Sequence, residues 1–278
     1  MPRLHGLSRL LVLLVLVSMA TGCASMRGWF SKEDRLETQP VEAMYEEGNR
    51  TMLAGNYSRA ERVYTRLIAR FPFGEYTEQA QLELAYAQYK ASKYEEATAT
   101  IDRFIRTYPA HQHIDYAFYL KALVNFSRSN SALDRIARLD GAQRDQGTPR
   151  QSFNDFGVLL QRYPDSRYAA DARQRMVFLR NELARHDYLV GLYYLRRGAN
   201  VAAANRGRAL LETYPQSEFD DDALAMMGEA YTRLGQVELA ADARRVLELN
   251  HPDHPWLRGD WPNDRSRFAR LNPFRGER

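Results

Sequence analysis

The sequence predicts an all-α fold, a superhelical array of about five helical hairpins, on three observations. Five segments carry a small residue twelve positions before a proline: Ala60 to Pro72, Ala97 to Pro109, Ser152 to Pro164, Ala203 to Pro215 and Ala240 to Pro252. A second small residue precedes each of them, at Gly48, Ala85, Ala122, Gly191 and Gly228. The chain of 278 residues holds only 16 glycines and 11 prolines, while Ala, Leu, Arg, Glu and Gln fill long stretches that favour helix.

Residues 1–22 read as a secretory signal. Arg3, His5 and Arg9 come without any acid, Leu10 to Val17 is an unbroken apolar run, and Ser18, Ala20, Thr21 and Gly22 lead to Cys23. The run is too short to span a bilayer, which needs about 20 apolar residues. Ala20-Thr21-Gly22-Cys23 resembles the lipobox of bacterial lipoproteins, with Ala20 where leucine is usual. That resemblance implies a diacylglycerol on the Cys23 thiol and a further acyl chain on its new amine, with no other cofactor. Each buried CH₂ contributes about 0.8 kcal/mol, so three chains make a lasting anchor. Residue 24 is Ala, not the Asp that retains many such lipoproteins in the inner membrane; this implies the outer membrane, facing the periplasm. Residues 23–40, with Ser25, Gly28, Ser31 and Pro40, read as a flexible tether.

From residue 41 the hairpins begin. The small residue lets the second helix of a hairpin approach the first, and the proline stops that second helix. The five prolines lie 37, 55, 51 and 37 residues apart, so the middle hairpins carry insertions. Ser129 to Thr148 is polar, with Gly141 and Gly147, and reads as a loop or short helix. Asp171 to Arg197 has no proline, and Met176, Leu179, Leu183, Leu189 and Leu192 recur near helical period, predicting one long helix. The expected organisation is three N-terminal repeats over 41–165, with the insertion at 129–148. The linking helix and two further repeats follow over 166–252, then an extended tail over 253–278. That tail holds Trp256, Trp261 and six arginines.

The pattern resembles the tetratricopeptide repeat, whose hairpins stack because none buries its apolar face alone. The resemblance implies a concave groove lined by the first helices. Its lining would be Tyr45, Tyr86, Tyr89, Tyr116, Tyr119 and Phe126 in the first three repeats, and Asp222, Ala225, Glu229 and Thr232 in the last. An aromatic groove suits an extended strand ending in a large aromatic. An aromatic stripe at helical spacing equally serves as core packing, and the sequence leaves both readings open.

Other features exclude functions. Loss of Arg3 and Arg9 with the signal leaves 37 basic and 35 acidic residues, and no Lys/Arg run lies beside aromatics, so nucleic acid is not an expected partner. One cysteine allows no internal disulfide. His111 and His113 flank Gln112 in an expected turn, without convincing metal spacing. Glu95-Glu96 and Asp220-Asp221-Asp222 sit near helix starts, where the dipole favours acids. No catalytic set is visible, and no enzyme is expected.

Six strings go further: Phe71-Pro72-Phe73-Gly74, Ile101 to Arg106, Ile114-Asp115-Tyr116, Phe153-Asn154-Asp155-Phe156, Tyr163 to Tyr168, and Tyr193 to Ala199. With the lipobox they resemble the BamD family, lipoproteins of the outer-membrane β-barrel assembly (BAM) machinery. The resemblance implies a scaffold whose C-terminal repeats dock on the last POTRA domain of the barrel subunit BamA. Its N-terminal repeats would receive the C-terminal strand of unfolded outer-membrane β-barrel proteins. It also implies the other BAM lipoproteins, BamC and BamE-like, as neighbours. In the family an arginine of an Asn-Arg pair after Arg-Gly-Ala meets an acid of BamA. Here that pair is Asn205-Arg206, so Arg206 is the expected contact, with Arg197 beside it in the same motif. The alternative is another lipidated repeat adaptor, a pilot or coordinator of the cell envelope.

Overall fold

The computed structural model describes residues 38–129 and 146–261. The expectations for the signal, for Cys23, for the tether before residue 38, for most of the insertion and for the tail past Trp261 lie outside the described residues.

Ten α-helices and one 3₁₀ turn make up the described residues, without a strand. They are α1 (Val41–Leu53), α2 (Tyr57–Arg70), α3 (Glu75–Lys90), α4 (Tyr94–Thr107) and α5 (Ile114–Ser129). Then come α6 (Gly147–Arg162), α7 (Ala169–Arg196), α8 (Asn200–Thr213), α9 (Asp220–Arg233) and α10 (Val237–Asn250). The 3₁₀ turn is Pro255–Arg258. Consecutive helices with short connections pack on one another, α1 on α2, α2 on α3, α3 on α4, and again from α6 to α10.

The spacing rule has its physical cause in the coordinates. Each second helix ends one residue before its proline, at the caps Phe71, Tyr108, Tyr163, Tyr214 and His251. Ala60, Ala97, Ser152 and Ala203 are fully buried, while Ala240 is only half-buried. A Cβ on Gly48 would stand 2.4 Å from the Tyr64 ring, and one on Gly191 would stand 2.4 Å from Met226 Sδ. Each glycine is therefore the notch that a large side chain of a neighbouring helix fills. The long helix of 28 residues is present as α7. It packs on α6 before it and on α8 after it, serving two hairpins.

The chain divides into two compact units, residues 1–124 and 125–278, so the division falls inside α5. In the first unit Met44, Ala60, Tyr64, Leu67, Ala80, Leu84 and Ala87 form the core of the first hairpins. In the second, Leu183, Tyr188, Leu192, Leu195, Leu210, Tyr214, Met226 and Tyr231 dominate a core built from α7, α8 and α9.

Candidate functional site

In the first unit the expected groove residues stand on first helices. On α3, Tyr76, Gln79, Glu83 and Tyr86 recur every three or four residues and share a face. On α1, Tyr45, Asn49 and Met52 do the same. The two faces meet: the rings of Tyr45 and Tyr76 are 5.5 Å apart, tilted by 57°. Tyr45 also lies 6.2 Å from Tyr64 and rests, partly buried, on the core of the first hairpins. Tyr64 donates its hydroxyl to Asn49 Oδ1 at 2.7 Å, and Asn49 also hydrogen-bonds Tyr45. Burial raises the phenols of Tyr45 and Tyr64.

Glu83 sits in this cluster and was not singled out from the sequence. Burial holds its carboxyl above the ordinary carboxylate range, opposed by a hydrogen bond from Gln79 Nε2 to Oε1 at 2.9 Å and by His113. Further along α3, the Tyr86 and Tyr89 rings lie 6.2 Å apart, and Tyr89 touches Tyr94 at 6.4 Å. Tyr116 and Tyr119 are half-buried on α5. His111 and His113 form the expected turn, where the His113 N–H donates to His111 Nδ1 at 3.1 Å. Burial, then His113, lowers the His111 pKa. Among the described residues no group of three or more His, Cys, Asp or Glu is set to hold a metal.

Phe126 belongs to the second unit. It packs edge-on against Phe178 at 5.8 Å and Phe156 at 6.5 Å, and the Arg175 guanidinium covers its face at 4.8 Å. Beside it, buried Asp155 accepts from Asn125 at 2.8 Å and from Gln151 at 2.9 Å.

Arg206, on α8, donates to Asp187 Oδ1 of α7 at 2.9 Å. The Asp187 side chain is 11% exposed and that of Arg206 42%, so the pair anchors an arginine that still reaches solvent. Arg197 follows α7 and lies over the ring of Tyr193 at 5.1 Å. Tyr193 is exposed, as is Val201 in the first turn of α8. This end of α7 thus presents an arginine and exposed apolar groups, the composition that interface centres favour.

Of the expected concave positions of the last hairpin, Asp222, Ala225 and Glu229 meet the segment His254–Trp261, while Thr232 stays exposed. The Trp256 ring fills the notch at Gly228, where a Cβ would come within 2.3 Å of it, and its Nε1 donates to Glu229 Oε2 at 3.0 Å. Asp222 gathers the rest: it accepts from Trp261 Nε1 at 2.8 Å and from the Tyr188 hydroxyl at 3.1 Å, and His254 Nε2 lies 3.4 Å away. His254 also caps the 3₁₀ turn, accepting from the Trp256 N–H at 3.2 Å. The acids of 220–222 therefore have individual partners beyond the helix dipole, since Asp220 accepts from the N–H groups of Gln216 and Ser217. The sequence carries Gly228 and the two tryptophans, but no pattern in it joins them into this strap.

A family model described as outer membrane lipoprotein (YfiO) matches residues 37–247. The chain is 50% identical over 274 residues to "Outer membrane protein assembly factor BamD" of Xylella fastidiosa strain 9a5c, covering 99% of this chain and 91% of that protein. The protein of the same description from Neisseria meningitidis serogroup B is 38% identical over 255 residues, 91% of this chain and 96% of its own length. Among solved structures, the TPR2AB domain of yeast Sti1 in its pHSP90 complex overlaps 78% of this chain and 79% of that one, with 13% identity and a TM-score of 0.40.

Proposed function

Because this chain belongs to the YfiO family of outer membrane lipoproteins, we propose that it is a periplasmic scaffold of outer-membrane β-barrel assembly, held to the membrane by lipid on Cys23. It is an outer membrane protein assembly factor, not an enzyme. The finer assignment gives its two units different work. The second binds BamA through Arg206 and Arg197, and the first receives the terminal strand of an unfolded barrel protein along Tyr45, Tyr86, Tyr89, Tyr116 and Tyr119. BamC and BamE-like lipoproteins complete the neighbourhood.

The observation that carries the partner assignment is the Arg206–Asp187 pair. A buried carboxylate fixes the arginine in place without hiding it. A fixed guanidinium loses less freedom when an acid of a partner arrives, and its planar fork suits a carboxylate. For the strand, the half-buried tyrosines of α1, α3 and α5 offer rigid faces with polar tips. Among the described residues no helix is long and apolar enough to cross a membrane, which is compatible with anchoring by lipid.

The test is capture of the lipidated chain from detergent-solubilised outer membranes, with its partners identified by mass spectrometry. BamA is expected among them, and its absence overturns the assignment. Arg206→Glu is expected to weaken binding of the BamA periplasmic domain by about 2 to 5 kcal/mol. Binding of a barrel-strand peptide to the first unit should stay unchanged. An unaltered BamA affinity would remove Arg206 from the interface.

A further inference from the structure

Three partly buried carboxylates of the first unit have a cation of their own. Glu47 pairs with Arg59 at 2.7 Å, Glu61 with Lys93 at 2.8 Å, and Asp102 with Lys121 at 2.7 Å. Glu83 does not. It accepts one hydrogen bond, from the neutral amide of Gln79, and among the described residues no Lys, Arg or His nitrogen reaches ion-pair distance of it. Its surroundings are phenols and one imidazole: Tyr45 and Tyr64 feel its charge, Tyr76 meets Tyr45, and His113 acts on it from the start of α5.

We propose that Glu83 is the charge-selecting residue of the surface between α1 and α3, and that it takes a basic side chain, lysine or arginine, carried by the extended peptide bound there. This rests on the reading above, that the first unit receives unfolded barrel strands. A carboxylate without an ion pair, on the face of α3 that also carries Tyr76 and near enough to Tyr45 to act on its phenol, can hold a cation: the ring faces attract it and the acid neutralises it. An acid drawn out of water with one neutral partner is poorly compensated in the free protein, and an arriving ammonium or guanidinium supplies what is missing. The same carboxylate repels an acidic residue at that place, so selection works against wrong sequences as well as for right ones.

The test uses the full mature chain and three fluorescent peptides copying a terminal barrel strand. They differ at one internal position, which is scanned along the peptide as Lys, Gln or Glu. At one position the Lys peptide is expected to bind roughly tenfold tighter than the Glu peptide at low salt, the gap narrowing as salt rises. Glu83→Gln keeps the size of the side chain, and its melting temperature at pH 7 should match or exceed that of the parent. It should abolish the preference, and Glu83→Lys should invert it. If Glu83→Gln discriminates as the parent does, Glu83 is not the selector, although the groove stands. If the parent binds all three alike at every position, there is no charge selection. If the parent binds none of them, the groove reading itself fails and the proposal goes with it.

Discussion

Glu83 shows what one residue gains and loses by its setting. Burial raises its pKa, so the native state holds the proton more tightly than the unfolded chain does. The resulting stabilisation is full below the unfolded carboxyl value and is lost as pH rises through the higher folded value. Stability attributable to this residue should therefore fall between mildly acidic and neutral pH. Denaturant titrations at several pH values should find the parent losing stability relative to Glu83→Gln as pH rises; parallel profiles would show that the carboxyl is better solvated than its surroundings indicate. Such a residue was not legible in the sequence. An acid inside a helix of mixed polarity reads as a solvated face, and the phenols of Tyr45 and Tyr64 that lie near it come from the preceding hairpin. Gly48, Gly191 and Gly228 were legible because a missing side chain leaves a periodic mark, although what fills each notch was not.

At the scale of elements, the helix ends were the most readable feature, since proline removes a donor and clashes with the preceding turn. The long α7 was readable too, because nothing interrupts its period. The strap from His254 to Trp261 was not, because it contributes no helical period; its place is fixed by side chains that reach Asp222 and Glu229. It covers the last hairpin, whose outer helix α10 leaves Val237 and Leu249 exposed and buries only Ala243 and Leu247. Leu247, Ala225 and Trp256 form one small cluster, so the tryptophan completes the packing of α10. Trp256→Ala should cost about 3 to 5 kcal/mol of stability in the second unit. Thermal unfolding should shift down, and amide exchange should quicken in α9 and α10 while α1 to α4 keep their protection. Unchanged exchange in α9 and α10 would mean that the strap lies on the hairpin without supporting it.

For the molecule as a whole, the fold class and the family were legible from spacing and a handful of strings; the helices of the described residues bear out the first, and the family model and the relatives the second. The division of the chain inside α5 left no mark in the sequence, since helical period runs unbroken through Val124 and Asn125. On the lipid anchor proposed above, membrane attachment depends on one atom, the Cys23 sulfur. Cys23→Ala should yield an uncleaved or soluble form that leaves the outer-membrane fraction on high-salt washing. Persistence in that fraction would show either that a partner suffices to hold it or that no lipid anchor exists, and repeating the wash without BamA separates the two.

The strap also sets an order in time. Contacts in the first unit mostly join helices adjacent in the chain, so those hairpins can close as they emerge from a ribosome or a translocation channel, N-terminus first. The last hairpin cannot, because Gly228 stays an open notch until Trp256 has followed it out. The chain thus finishes folding with nearly its last described residues, and an early stop codon that removes under a tenth of the protein would leave α10 without its keystone. A nascent or truncated chain would then uncover Ala225 and Leu247, which Trp256 covers in a complete one.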